Sequence, residues 1–523
     1  MLMKYIYMSR GALIDAPPLY ESDHTYITLD AHYNESYFAR MLPPVPMDCP
    51  TQMGTKGPKE LIPSEELFKR MFLRREFKPD PSRFQFIVPI LRPTFYASIL
   101  SNGLCIERKV DKRKMGSKLL YDFFSSLYAL IIAIKYRSSD LKNWIKIKVD
   151  VSNIYGLTEE IRQGLRSKVD GKLKTKVING GEFPPLLKDV EGVTMDYPPN
   201  APIPDEAKFA LGHPFFALLP GLFVYATIWV REHNRVCDIL KAEHPHWDDE
   251  QLYQTARLII VGEVITITIE DYVQHLSQYR LKLTFNPELV HGTEFQFSNR
   301  IYAEFDQLYH WHPFVPDGIK IQDKYYTIMD MAFSNQAVFS HGLESFIEAM
   351  ATNRAGALTA RNHPAALINT EKGLNYHPIR VLKNLPAKML LSKELEDIYK
   401  DIDAVEFYVG LLAEEPGPSL TGLTMVNVGG PWSVKGLISN PICSPGWWKP
   451  STFGGEVGFN IVKTASLKKL FCNNIKGPCD HIAFLCTKEH AHRLKTISQD
   501  YVYKIFDIIV IDTLRKTCNF RDK

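Results

Sequence analysis

Tyr309 and His312 stand three residues apart in the run Tyr309-His310-Trp311-His312-Pro313. On a helix that spacing puts both side chains on one face. The rise between them is about 4.5 Å at 1.5 Å per residue. A neutral imidazole can ligate haem iron through a ring nitrogen. A phenol beside it can pass an electron to a porphyrin and hold a radical. The same residues also fit a helix C-terminus, with aromatic packing, a histidine near the negative dipole end and a proline as the stop. Spacing alone leaves both readings open and favours the second. Another dense cluster of polar groups is Arg231-Glu232-His233-Asn234-Arg235-Val236-Cys237-Asp238.

These clusters need elements to hold them. Leu222, Ala226, Trp229, Val230 and His233 recur at spacings of three and four, which predicts a helix from about Phe215. A second helix is expected from Asp249 to about Ser277, with Asp248 and Asp249 as candidate caps. A third runs from Arg300 to His312 and ends before Pro313. Strand alternation is scarce and no repeat at a fixed period is visible. The expected fold is mainly α, one large enzyme domain. Pro17, Pro18, Pro43, Pro44, Pro46 and Pro50 make the first fifty residues extended and loop-like.

Composition narrows the function classes. Among 523 residues, 62 Lys and Arg oppose 59 Asp and Glu, a formal net charge of +3. That excess lacks the basic footprint of a nucleic-acid binder. Hydrophobic residues at 45% and charged residues at 23% exclude a disordered chain. Aromatics at 12% suit a wide apolar pocket, and equally a large aromatic core. Eight Cys with no CxxC pair exclude a disulfide scaffold and a zinc ribbon. Cys472 and Cys479 are close enough to close a short loop, or stand as two free thiols. Met1–Leu13 has no long apolar core, so no signal peptide is read there. Asn34-Glu35-Ser36 is an N-glycosylation acceptor triplet, a weak signal by itself.

Residues 86–148 differ in character. A basic run through Arg108, Lys109, Lys112, Arg113, Lys114 and Lys118 precedes the apolar stretch Leu119–Ile134. Three readings stand for it: a membrane-surface element, a solvated loop before a buried helix, or foreign sequence from faulty gene prediction.

Together the two polar clusters resemble the animal haem peroxidase superfamily, and more narrowly the cyclooxygenases (prostaglandin-endoperoxide synthases). Pro46–Gly57, Phe407–Leu412 and Asn440–Pro445 agree, and Trp448–Leu470 is close to verbatim. The resemblance covers about residues 1–85 and 149–480. It implies a haem-dependent animal peroxidase-like fold with residues 1–15 as the remnant of a membrane-binding helix. Residues 16–480 would then be the catalytic domain and 481–523 a divergent tail. It implies haem b, one per subunit, on the proximal ligand His312. It implies Tyr309 as the catalytic radical, and Tyr408 as the hydrogen-bond partner that orients the ligand histidine. Arg10 would pair with the substrate carboxylate, with Tyr279 beside it at the constriction. Tyr272 would lie beside Tyr309. Ser433 would shape the pocket as the position acetylated by aspirin. The implied reaction joins a polyunsaturated fatty acid of the arachidonate type to two O₂, giving an endoperoxide hydroperoxide that the peroxidase site reduces. A homodimer, monotopic membrane association and the endoplasmic reticulum are also implied.

The sequence departs from this pattern in one large respect. The family's distal histidine is expected shortly after Phe72–Ser82, yet no His occurs from Tyr33 to Gly212. The resemblance stops near Arg83 and resumes near Val149. A poor peroxidase is therefore expected, and a non-catalytic dimer partner is the alternative. Asn427 replaces a glutamate at the channel mouth, Trp432 a Phe and Gly430 an Ala, so pocket shape is altered. Cys49 is expected to lack its usual disulfide partner, because the growth-factor-like module that precedes it in the family is missing.

Overall fold

The computed structural model describes parts of 71–79, then 149, 151–156, 158–195, 197, 203–276, 283–291, 311–331, 334–364, 392–399, 407–414, scattered positions between 422 and 440, 441–477 and 479. Among the described residues the strands form two antiparallel two-stranded hairpins and the rest of the regular structure is helical. This agrees with the mainly α expectation. The first hairpin pairs β1 (Lys176–Ile178) with β2 (Gly181–Phe183).

Helix α1 spans Pro220–Glu243. The sequence pattern suggested one helix from Phe215, but the structure breaks it into Pro214–Leu218 and α1. Pro220 takes the first helical position of α1. There its missing N–H costs nothing, whereas inside a longer helix its ring would clash with the preceding turn. The first half of α1 is buried on every side, from Leu222 to Val230.

Helix α2 runs from Asp249 to Leu276 and contains a wide π turn at Thr268–Val273. Asp248 caps it, its side chain accepting the Gln251 N–H at 2.8 Å. Asp249 does not cap; it accepts from Arg166 and from the Gly171 N–H. By length and composition α2 passes the test for a membrane span, yet 78% of its most apolar stretch is buried inside the fold. It is a core helix, packed between α1 and α5 (Glu456–Lys463).

The α2–α5 contact depends on Gly262, where an added Cβ would lie 2.6 Å from Val462 Cγ1. Thr266 Oγ1 then donates to Val462 O at 3.0 Å. Beyond α5, Leu467–Cys472 forms α6, followed by the Cys472–Cys479 disulfide. The spacing left that pair open; the structure closes it.

Asp271 accepts the Leu467 N–H at 2.6 Å, which ties the start of α6 to the π turn. Burial raises this carboxyl to about 6. In the unfolded chain it titrates near ~3.9. Between those values the folded state binds the extra proton, so stability falls as pH rises through the window. Asp271→Asn keeps the acceptor and removes the charge. It is expected to stabilise the fold by about 1–3 kcal/mol at pH 7 and by almost nothing at pH 4. Chemical denaturation at both pH values checks this, and an equal gain at both refutes it.

The second hairpin pairs β3 (Gly318–Ile321) with β4 (Lys324–Thr327). Helix α3 (Leu343–Thr352) packs on β3, and α4 (Phe407–Ala413) carries Tyr408. The third expected helix, 300–312, lies outside the described residues apart from its end, as do residues 1–15, 86–148 and 481–523.

Candidate functional site

The backbone at His312 opens a tight 3₁₀ turn, His312–Phe314. Trp311 before it is buried, edge-on to Phe314 at 5.2 Å. Tyr272, from the π turn of α2, lies 6.4 Å from Trp311 with the rings 25° apart. The π turn thus carries an expected pocket residue to the segment that bears the expected ligand.

Two backbone approaches fix this segment. The Gly356 N–H donates to Phe314 O at 3.0 Å. An added Cβ at Gly356 would stand 2.0 Å from Pro313 O, so only glycine allows the contact. From the other side comes Arg74, whose side chain is 3% exposed. Its Nη2 donates to Pro313 O, Val315 O and Asn362 O at 3.2, 2.9 and 2.6 Å. Its Nη1 binds Asp317 at 2.7 Å, and its Nε reaches Asn362 Oδ1 at 3.0 Å. Sequence reasoning did not single out Arg74. Its type and position, in Phe72–Ser82, gave no sign that its partners lie 239 to 288 residues away.

Next to Asn362, His363 Nε2 lies 3.0 Å from the Tyr408 hydroxyl. Both side chains are buried. The resemblance pairs Tyr408 with the ligand histidine; the structure places His363 on its hydroxyl. The His312 side chain is outside the described residues, so its own contact with Tyr408 is not described. His363 was also missed, since a histidine before a proline carries little signal beyond an extended backbone.

The Arg231–Asp238 cluster serves a different purpose. His233 uses both ring nitrogens, Nδ1 on the Tyr155 hydroxyl and Nε2 on Gly171 O, each at 2.9 Å. A carbonyl only accepts, so Nε2 carries the proton and Nδ1 accepts from Tyr155. Burial lowers this imidazole to about 4, and it stays neutral. Asn234 clamps the backbone of Leu173 through both N–H and C=O. Arg231 donates to Glu182 O and Asn474 O at 2.7 Å. Glu232 receives Arg235 and Asn474 and sits beside the buried Glu263. The cluster is a set of staples between α1 and its neighbours.

A haem iron requires a neutral imidazole and apolar walls for the macrocycle. His233 cannot supply the imidazole, since both nitrogens are engaged. His312 heads a turn whose following carbonyls are pinned and whose flanks, Trp311 and Phe314, are buried aromatics. That donor chemistry fits haem on the proximal side. Of the expected site residues, Tyr272 and Tyr408 have described side chains. Tyr309, Arg10, Tyr279, Ser433 and Asn34 lie outside the described residues, as do Cys49, Asn427, Gly430 and Trp432.

The family model for animal haem peroxidase matches residues 147–377, which include both clusters. Prostaglandin G/H synthase 2 of Bos taurus is 43% identical over 525 residues, spanning 95% of this chain and 80% of that protein. Prostaglandin G/H synthase 2 of Gallus gallus is 44% identical over 92% of this chain and 78% of its own length. Prostaglandin G/H synthase 1 of Rattus norvegicus is 41% identical over the same shares. Among solved structures, an Oryza sativa fatty acid alpha-dioxygenase aligns with TM-score 0.61 at 16% identity, over 88% of this chain and 82% of that one. Peroxidase A from Dictyostelium discoideum aligns with TM-score 0.56 at 17% identity, over 84% and 94%. These last two share the fold.

Proposed function

The chain belongs to the prostaglandin G/H synthase family, within the animal haem peroxidases, and from this we propose that it oxygenates a polyunsaturated fatty acid with two O₂ through a radical on Tyr309. The observation that carries the proposal is the pinned His312 turn, flanked by Trp311 and Tyr272 and set beside the pair His363–Tyr408. Haem b, held by His312, would supply the oxidising equivalent that starts the radical. All further steps belong to the chain. The Tyr309 phenoxyl takes a hydrogen atom from the substrate carbon and becomes a phenol. After two O₂ have added, it returns that atom to the peroxyl product and is regenerated.

Arg10 would hold the carboxylate end of the substrate as a fixed cation, with Tyr279 beside it. Asn427 in place of an acid would remove one competing partner for that cation. Tyr272 and Ser433 would shape the pocket, and buried aromatic walls would keep water and reductants from the carbon radical. A homodimer on the lumenal membrane surface of the endoplasmic reticulum, glycosylated at Asn34, is the setting that accords with this chemistry.

The missing histidine between Tyr33 and Gly212 favours a second reading, a non-catalytic partner subunit. Haemin titration and O₂ uptake separate the two. We expect a Soret band that saturates at one haem per chain and disappears in His312→Ala. With arachidonate and a priming hydroperoxide, we expect O₂ uptake that falls to background in Tyr309→Phe. No Soret band supports the non-catalytic reading, and undiminished uptake in Tyr309→Phe overturns the radical assignment.

A further inference from the structure

We propose that Arg74 is a positioning residue for the proximal side of the haem: one buried guanidinium sets the backbone that carries His312 and the backbone that carries His363. The inference rests on the reading of His312 as the iron ligand.

Pro313 has no N–H, so its carbonyl is the only backbone hydrogen-bonding group that it offers next to His312. That carbonyl accepts from Arg74 Nη2 at 3.2 Å. The same nitrogen reaches Val315 O at 2.9 Å, so the fork grips the turn immediately after His312 at two points. Its third acceptor is Asn362 O at 2.6 Å, the carbonyl that leads into His363. The Arg74 N–H donates in turn to His363 O at 3.1 Å. His363 holds the Tyr408 hydroxyl. A shift of the guanidinium therefore moves both sides together.

Asn362 completes the staple. It receives Arg74 Nε and donates to Lys78 O and Ala357 O at 2.9 and 2.8 Å. The Phe77 ring lies 4.8 Å below the guanidinium and closes its open face. Charge alone cannot reproduce this. Lysine offers a point cation with three rotating donors, whereas the planar fork of arginine fits several fixed carbonyls at once.

The test compares full-length wild type, Arg74→Lys and Arg166→Lys, each loaded with haemin. Arg166 is the control because its side chain is equally buried, at 2% exposed, but binds Asp249 and Glu250. Thermal denaturation of the apoproteins, the rate of haem loss to apomyoglobin and the ferrous iron–histidine Raman band are measured. Both variants are expected to lose stability. Arg74→Lys alone is expected to lose haem about 10–100-fold faster, as when groups supporting a metal ligand are removed. It alone should show a shifted or split iron–histidine band. An unchanged band and rate in Arg74→Lys, or equal changes in Arg166→Lys, overturn the proposal.

If Arg74→Lys does not fold, Asp317→Asn carries the test, because it alters only the half-exposed partner of Nη1. Faster haem loss with a broadened band supports the proposal, and wild-type values overturn it. A wild type with no Soret band, or a His312→Ala protein with the wild-type band, removes the ligand assignment and this inference with it. Unaffected Arg74 variants beside a haem-free His312→Ala remove the inference alone.

Discussion

Peroxide reduction by the haem-loaded chain is expected to run about 10²–10⁴-fold below that of a chimera with a restored distal histidine, the usual worth of a positioned acid–base group. The chimera replaces residues 86–148 with the segment between the matching flanks of the Bos taurus relative. The reason is the long stretch from Tyr33 to Gly212 without a histidine. Breaking a peroxide bond needs a group that takes a proton from one oxygen and gives it to the other near neutral pH, the task imidazole suits.

The next histidines along the chain do not fill the gap. His213 is fully buried, which lowers it to about 3. His233 is lowered to about 4 and has both nitrogens engaged. Neither exchanges protons near pH 7. O₂ uptake with arachidonate should accordingly show a long lag that added hydroperoxide shortens. Native protein that reduces peroxide as fast as the chimera would refute this expectation.

The second large effect concerns the carboxyl pair between α1 and α2. Glu232 is wholly buried and accepts from Arg235 Nε at 2.9 Å and from Asn474 Nδ2 at 2.6 Å. Asn474 also donates to Leu470 O, so the pair helps fasten the end of α6. Glu263 sits beside Glu232, and burial together with the neighbouring Glu232 carboxyl raises it far above the usual carboxyl range. Glu232 is thus paired with Arg235, and burial disfavours the charged form of its neighbour Glu263.

Glu232→Ala is expected to cost about 3–5 kcal/mol, because it takes the shared acceptor from the part-buried Arg235 and the buried Asn474. Glu263→Gln is expected to stay within about 1 kcal/mol, because an amide keeps the donor and carries no charge, as the protonated acid does. Urea denaturation at pH 7 measures both. Equal losses in the two variants would mean that the proton sits elsewhere. The asymmetry also predicts that Glu263→Gln lowers the sensitivity of the fold to alkaline pH, since the wild-type acid is penalised when it ionises.

Much of the architecture was legible without coordinates. Spacings of three and four marked α1, and the acidic pair at Asp248–Asp249 marked the start of α2. These signals are local, because periodicity and caps are properties of neighbouring residues. The break before Pro220 and the π turn that presents Tyr272 were not read, though the first had a local cause in the proline ring. The family was legible too, since dozens of residues in order identify it where one short motif would not.

The sequence by itself determined that His312, Tyr309 and Tyr408 are the residues to examine, that haem is the cofactor to expect, and that no histidine stands between Tyr33 and Gly212. Only the tertiary structure decided what surrounds Tyr408 and the backbone that follows His312. It showed the polar cluster Arg231–Asp238 to be staples around α1. It put His363 on Tyr408 and Arg74 on the carbonyls after His312. It closed the Cys472–Cys479 bridge and put Glu263 where burial raises its carboxyl above the usual range. Hydrogen-bond partners more than two hundred residues apart leave no local pattern, and desolvation depends on everything packed around a group.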